Sequence, residues 1–461
     1  MAVALVVATV AAAGGRRGVD ARSGANEAIA NAIISIDPRA RAAKAGLDGR
    51  GSLGGALILV KDNIETAALP TTAGSLALAG NRTGRDAAVI ARVRAAGGVI
   101  LGKTNLSEWA NFRGRHGSSG WSAVGGQTRN AVDPRRSPCG SSSGSAVAVA
   151  LKLSWAAIGT ETDGSITCPA AMNGIVGFKP TLGLVSRTGI VPISPAQDTA
   201  GPMARNVADA ARLLDAMVGA DPTDPITLTA PVHPPYAAAV ASGSLQGVRI
   251  GVLRKQAGPL PALRAVFDQA LLRLANAGAV LVPIDYDIPP ELGIAEGTAL
   301  IYEFKPALNA YLASLPGHPS VRSLADLIAF NRAHARDELR LFGQELFEEA
   351  EQANDAEAGR RARAVAARLA GPDGIDRLLA RYRVSLLVAP TAGPAWMIDQ
   401  VNGDHSLDIG AGSLAAVAGY PHLTVPMGRV EGLPVGMSFM GGRWQDAQVL
   451  AAGAAFERAS R

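Results

Sequence analysis

Two serine-containing segments lie close together in the sequence, and both have glycine neighbours. The first reads PCGSSSGSA, with Ser141, Ser142 and Ser143 in a row, and the second reads GTETDGSITCPA, in which Ser165 follows Gly164. A serine on a tight turn can act as a nucleophile if a neighbouring base takes its proton. Neither segment contains a histidine, so the base is expected from another part of the chain.

Lys61 is the best candidate for that base. It follows the apolar residues 56–60 and precedes the polar residues Asp62 and Asn63, so a strand could hold it at the edge of the core. Burial disfavours the charged form of an amine and lowers its pKa, and a neutral amine can accept a proton near neutral pH. A surface lysine at the end of a strand explains the same pattern equally well.

The segment GSSSG offers an alternative, because it matches the G-x-S-x-G nucleophile elbow with Ser142 at its centre. That elbow requires a strand before the serine and a histidine later in the chain. The preceding segment is polar and interrupted by proline, and the candidate histidines, His334, His405 and His422, have no distinctive local setting. The elbow is therefore the weaker hypothesis.

Alternating strands and helices must position these residues. Residues 56–60 read as a buried strand, 86–98 as a helix ending at a glycine pair, VILGKTN as a short strand, 145–153 as a buried helix, and SWAAIGTETDG as another strand. Repeats of this kind indicate a largely parallel sheet that is covered on both faces by helices.

The second half of the chain contains a linker, a helical region and late strands. Residues 219–244 include the proline-rich segment DPTDPITLTAPVHPP and form the clearest linker, whereas residues 296–380 are mostly helical and charged and predict a cover over the sheet. The segments VSLLVAP, HLTVPMG and PVGMSFMG could complete the first sheet. We therefore expect one large α/β domain rather than two.

Composition excludes several classes of protein. The 461 residues are 48% hydrophobic and 18% charged, which suits a large folded core. Aromatic residues make up 4%, and the arginines that give the net charge of +5 are dispersed, so a nucleic-acid partner is not expected.

The two cysteines, Cys139 and Cys168, flank the two serine segments. Two buried free thiols are the default expectation, and a disulfide between them is the alternative. No motif indicates a metal or another cofactor.

The N-terminal 29 residues form an atypical segment. The first 13 are apolar, too few to span a bilayer, and no other stretch predicts membrane insertion. They resemble the end of a secretory signal without its basic region, but a truncated gene start or an ordinary helix fits equally well. Location therefore stays open between the cytoplasm and a secreted or periplasmic site, and nothing indicates the oligomeric state.

Several longer motifs resemble those of the amidase signature family of serine hydrolases. They include ILVKDNI, CGSSSGSAVAVA, GKTNLSEWANF, AGYPHLTVPMG, GLPVGMSFMG and the continuous stretch at 159–211 that begins GTETDGSITCPA. The resemblance covers about residues 30–461, with a signature core at about 51–218. It implies a single amidase domain with a central mixed β-sheet that is covered on both faces by α-helices.

The family resemblance also implies a serine–serine–lysine triad. Ser165 corresponds to the nucleophile, Ser141 to a bridging serine that follows a cis peptide bond, and Lys61 to the base. Such enzymes hydrolyse carboxylic amides to an acid and ammonia through an acyl-enzyme. The backbone N–H groups of the nucleophile loop would form the oxyanion hole, and Ser142 would support the triad. The oxyanion residues are Thr162, Asp163 and Gly164, with Ser165 itself.

Two positions depart from the wider family and bear on the substrate. Many members have glycine in place of Asp163 and an arginine in place of Thr167. That arginine binds the substrate carboxylate in members that act on small acidic amides. Its absence therefore disfavours small acidic amides as substrates, and it disfavours a role as the glutaminase subunit of an amidotransferase.

The loops look most like those of bacterial peptide amidases, which remove the C-terminal amide of peptides. The predicted substrate is therefore a peptide amide. A broader aryl, aliphatic or fatty amidase is the alternative, and the distant alternative is a non-catalytic or amidotransferase-type subunit.

Overall fold

The computed structural model of the chain describes residues 21–47, 49–317 and 320–460. Thirteen strands are present in these ranges: β1 (Ile33–Ile36), β2 (Leu57–Lys61), β3 (Val99–Thr104), β4 (Trp121–Ser122), β5 (Gly126–Gln127), β6 (Ala156–Glu161), β7 (Val176–Lys179), β8 (Thr199–Ala204), β9 (Arg249–Leu253), β10 (Val280–Ile284), β11 (Leu386–Pro390), β12 (His422–Val430) and β13 (Leu433–Met440).

The α-helices lie between and after these strands. They are α1 (Ala21–Ala30), α2 (Ala40–Gly46), α3 (Ala88–Ala95), α4 (Ser143–Ala150), α5 (Thr167–Met172), α6 (Val207–Met217), α7 (Tyr236–Ser242), α8 (Pro261–Asn276), α9 (Pro290–Ala313), α10 (Leu324–Ala333), α11 (Ala335–Glu338), α12 (Glu345–Gln352), α13 (Ala356–Ala370), α14 (Arg377–Tyr382), α15 (Gly412–Ala418) and α16 (Asp446–Ala459).

One 11-stranded mixed sheet organises the domain, in the order β1-β3-β2-β6-β8-β7-β12-β13-β11-β9-β10. The prediction of largely parallel pairing is wrong at its centre. Pairing is parallel around β2 and around β9, but every pair from β6 to β11 is antiparallel. Strand–helix–strand repeats describe only the parallel pairs. The antiparallel centre contains the β12–β13 hairpin and pairs such as β7 with β12, whose strands are distant in sequence.

The late strands complete the first sheet, as the single-domain expectation requires. Strand β12 pairs with β7, and β11 pairs with both β13 and β9. A continuous apolar core runs along the sheet from Ile58 and Ile158 to Val388 and Phe439. The chain therefore forms one α/β domain around a shared sheet.

Strands β2 and β6 bring the two candidate catalytic regions together. They pair in parallel with Ile58 opposite Ala156 and Val60 opposite Ile158. Because parallel strands end at the same edge of a sheet, Lys61 at the end of β2 lies beside Thr160 and Glu161 at the end of β6. Both strands are apolar over most of their length, which is typical of strands covered on both faces.

A helical region between β10 and β11 packs over this edge of the sheet. Helices α9 to α14 fall within it, and aromatic side chains fix α9 and α12 against the rest of the domain. The ring centroids of Phe304 and Phe112 lie 4.8 Å apart, and those of Phe304 and Phe347 lie 5.3 Å apart. We call helices α9 to α14 the cover.

Most of the apolar N-terminal segment falls outside the described residues, which begin with α1 at Ala21. The interpretation of residues 1–29 as an atypical segment, with a possible signal remnant, therefore stays a prediction for residues 1–20. Within the described ranges no helix is both long and apolar enough to cross a membrane.

Candidate active site

Lys61 is fully buried and contacts the serine-rich segment directly. Its Nζ donates hydrogen bonds to Ser141 Oγ at 2.7 Å, to Thr160 Oγ1 at 2.8 Å and to the Thr160 carbonyl oxygen at 3.2 Å. Asn63 Nδ2 donates to the same Thr160 hydroxyl at 3.0 Å. The structure thus places Lys61 beside Ser141 and not at the surface.

Burial sets the protonation of this lysine. Loss of water around the ammonium lowers the pKa of Lys61 to about 7, and the carboxylates of Glu161 and Asp198 oppose that shift. A neutral amine has a lone pair that can accept the Ser141 proton across the 2.7 Å contact. Lys61 can therefore act as a base at neutral pH.

The serine-rich segment forms the turn before helix α4. The Gly140–Ser141 peptide bond is cis, and both Ser141 and Ser142 are completely buried. The Ser142 amide donates to the Ser165 carbonyl oxygen at 3.0 Å, and its hydroxyl donates to the Thr160 carbonyl oxygen at 3.0 Å. The backbone of Ser142 thus joins the two serine segments.

The two cysteines correct the expectation of free thiols. Cys139 and Cys168 form a disulfide, with their Cα atoms 6.0 Å apart. Sequence spacing did not reveal the bond because it depends on the contact between the serine segments. The disulfide ties the residue two before Ser141 to the first turn of α5, three residues after Ser165.

Residues 162–166 connect β6 to α5 and carry the predicted nucleophile, Ser165. We call them the nucleophile loop, and the Glu161 carboxylate shapes it. Glu161 accepts hydrogen bonds from the amides of Ile166 at 2.7 Å and Thr167 at 3.0 Å. Gly164 has a φ of +74°, a left-handed conformation that glycine adopts readily. Glu161 therefore satisfies the amides that follow Ser165 and turns the loop back on itself.

The predicted oxyanion residues lie on the earlier part of this loop. Among the described residues, the amides of Asp163, Gly164 and Ser165 have no hydrogen-bond acceptor, and Thr162 is held by a bond from its hydroxyl to Asp198 Oδ1 at 2.6 Å. Free amides on a fixed loop are the groups that an oxyanion hole requires.

A cavity of about 920 Å³ opens at this loop and extends between α9 and the segments before β12. The residues that line it include Asp163, Gly164, Cys168, Trp396 and Leu407. Because Asp163 and Gly164 directly precede Ser165, a molecule in the cavity would meet the nucleophile loop.

The histidines do not support the nucleophile elbow. His422 is buried and its Nε2 lies 2.6 Å from Ser438 Oγ, and burial lowers its pKa to about 3. His334 and His405 are exposed. The Ser142 hydroxyl is bonded to the backbone of β6, and the turn containing Ser142 follows an irregular segment instead of a strand.

Sequence reasoning missed several polar residues around the site. Asn63 lies two residues after Lys61 in ILVKDNI, and Thr160 lies within GTETDGSITCPA. Their short sequence distance from Lys61 and Ser165 was the signal that could have identified them. Glu296 and Ser413 had none, because they approach Asp163 from α9 and α15. These two elements lie far along the chain from the nucleophile loop.

Comparison with known proteins identifies the family. The model of the family described as Amidase matches residues 19–450. The chain belongs to the amidase signature family and is an amidase.

Relatives of this amidase cover nearly its whole length. A solved peptide amidase from Stenotrophomonas maltophilia is 49% identical, with a TM-score of 0.87 and coverage of 99% of this chain and 92% of the other. A probable amidase of Arabidopsis thaliana is 39% identical, over 88% of this chain and 77% of the relative. A solved amidase family protein from Bacillus anthracis is 34% identical, with a TM-score of 0.84 and coverage of 94% and 84%.

Proposed function

We propose that this amidase hydrolyses the C-terminal carboxamide of peptides, with Ser165 as nucleophile, Ser141 as proton relay and Lys61 as base. The observation that carries the mechanism is the 2.7 Å contact between the buried Lys61 amine and Ser141 Oγ. The hydrogen bond from the Ser142 amide to the Ser165 carbonyl oxygen supports the placement of the nucleophile next to that pair.

The proposed reaction uses these residues in order. Ser141 passes its proton to neutral Lys61 and takes the proton of Ser165, whose Oγ bonds to the amide carbon. The amides of Asp163 and Gly164 stabilise the resulting oxyanion, and one such donor typically contributes roughly 3 kcal/mol. Return of the proton to nitrogen breaks the C–N bond and releases ammonia. Water then hydrolyses the acyl-enzyme by the same relay.

The cavity supports a peptide rather than a very small amide. Its volume of about 920 Å³ lies in the upper part of the range for sites that enclose drug-sized ligands. Apolar side chains of Ile288, Leu292, Trp396 and Leu407 line it and could pack against peptide side chains. The 49% identity to a solved peptide amidase supports the same substrate class.

Incubation with a panel of amides tests the substrate. We expect peptide amides to yield equimolar ammonia and free peptide acid, measured by a coupled ammonia assay and by mass spectrometry. Turnover of aryl or fatty amides without turnover of any peptide amide would contradict the peptide assignment. A phosphonofluoridate adduct on Ser165, located by peptide mapping, would separately support the nucleophile.

The pH dependence tests the base. Because Lys61 acts when neutral and its pKa is about 7, kcat/KM should rise about tenfold per pH unit below 7 and level off above it. Initial rates on one peptide amide between pH 5 and 9 would measure this. A rate that falls as pH rises through 7 would contradict the assignment of a neutral lysine base.

A further inference from the structure

Asp163 places a carboxyl group where a negative charge is electrostatically unfavourable. It lies two residues before Ser165, and its own amide is one of the groups proposed to bind the oxyanion. Like charges repel strongly in a poorly solvated site. A carboxylate beside a developing oxyanion therefore opposes the reaction unless it also meets a group that becomes positive.

The partners of Asp163 hold it in place but do not neutralise it. Ser413 Oγ donates to Asp163 Oδ2 at 2.7 Å, and the carboxyl groups of Asp163 and Glu296 are hydrogen bonded to each other. Within the described ranges, no lysine or arginine forms a salt bridge with Asp163. The buried ammonium group of Lys179 acts on Asp163 electrostatically and lowers its pKa.

Glu296 is itself fixed against the nucleophile loop. Gln197 Nε2 donates to Glu296 Oε1 at 2.8 Å and to the Thr162 carbonyl oxygen at 3.2 Å. Arg363 of the cover binds the Gln197 side-chain oxygen. Asp163 is thus surrounded by a fixed set of polar groups from α9, α13 and α15.

Burial and mutual repulsion act on the two acids together. Burial raises the pKa of both carboxyl groups, and the charge of Asp163 raises the pKa of Glu296 further. These shifts favour the proton on Glu296 and leave Asp163 as the hydrogen-bond acceptor of the pair.

An ionised carboxylate can accept about four hydrogen bonds. Ser413 and Glu296 supply two donors, and Asp163 lines the cavity, so its other acceptor positions are available to a ligand. The substrate group that combines two N–H donors with a developing positive charge is the nitrogen of a primary carboxamide. That nitrogen takes up a proton before it leaves as ammonia, so a carboxylate would interact with it most strongly in the transition state.

We propose that the Asp163 carboxylate accepts hydrogen bonds from the –NH2 group of the scissile carboxamide and makes this amidase selective for primary over N-substituted amides. This inference rests on the proposed function, and it specifies the form of amide that the site accepts. An N-methylamide loses one donor and brings a methyl group against a carboxylate, which leaves part of the charge unpaired.

A matched pair of substrates tests this specificity role. The ratio of kcat/KM for Gly-Phe amide over Gly-Phe N-methylamide should be at least about 10² for the wild-type enzyme. Asp163→Gly and Asp163→Asn should each lower that ratio at least about tenfold. Asp408→Asn, which removes the charge of an exposed acid at the mouth of the same cavity, should keep the wild-type ratio.

An equal loss of activity on both substrates in the Asp163 variants would mean a structural role and would overturn the proposal. If thermal unfolding shows that Asp163→Gly does not fold, the ratio is measured in Asp163→Asn, whose side chain is nearly the same size as that of aspartate. If the wild-type enzyme cleaves only non-peptide amides, the peptide assignment fails separately. The same ratio, measured with benzamide and N-methylbenzamide, then tests the role of Asp163.

Discussion

Replacing Ser165 by alanine should abolish amide hydrolysis while the protein stays folded. Loss of a serine nucleophile from a relay of this kind can cost on the order of 10⁶-fold in kcat, because no other group can form the acyl-enzyme. Ser165 is almost buried, with 8% of its surface exposed, but its hydroxyl is small and its removal leaves little empty space. The measurement is ammonia release from a peptide amide, together with the thermal unfolding temperature.

Ser145→Ala is the matched control for Ser165→Ala. Ser145 is buried in the first serine segment, PCGSSSGSA, and its hydroxyl lies 2.8 Å from Thr104 Oγ1. Its removal should cost roughly 1 kcal/mol of stability and leave most of the activity. Comparable activity in Ser165→Ala and Ser145→Ala would refute the assignment of Ser165 as nucleophile.

Replacing Lys61 by alanine should lower kcat at pH 7 by roughly 10²–10⁴-fold, the usual contribution of a general base. The loss should shrink at high pH, because hydroxide can then take the proton that Ser141 would otherwise pass to the lysine. Rates of the variant and the wild-type enzyme between pH 6 and 10 would measure both effects. A constant loss over that range would contradict a role for Lys61 as base.

His422→Ala separates the lysine mechanism from a histidine-dependent one. His422 is buried against Ser438, so its replacement should reduce stability and affect kcat far less than Lys61→Ala does. The nucleophile-elbow hypothesis requires the opposite order. Equal folded fractions, confirmed by circular dichroism before each assay, make the two rates comparable.

Much of the local structure could be predicted from the sequence. The expected helix at 86–98 corresponds to α3 at Ala88–Ala95, and the apolar run before Lys61 is indeed a strand. These predictions succeeded because hydrophobic spacing and turn residues within about 15 positions determine such elements. The candidate site residues Lys61, Ser141 and Ser165 were predicted from motifs of similar length.

The remaining features depend on contacts between distant residues. The antiparallel centre of the sheet joins β7 to β12, and the disulfide joins the segment before α4 to the first turn of α5. The environment of Asp163 depends on Glu296, which lies in helix α9, far along the chain. No local sequence pattern encodes these long-range contacts. The sequence therefore shows a carboxylate at position 163 but does not identify the residues that contact it.

The cover has a consequence for how this enzyme could change. It lies between β10, which ends at Ile284, and β11, which begins at Leu386, whereas Lys61, Ser141 and Ser165 all precede it. Through Glu296 it nevertheless reaches the loop beside the scissile bond. Mutation within this one stretch could therefore alter which amides are accepted while bond cleavage stays intact. The cover thus offers positions, such as Glu296, at which amide selectivity could change without a change in Lys61, Ser141 or Ser165.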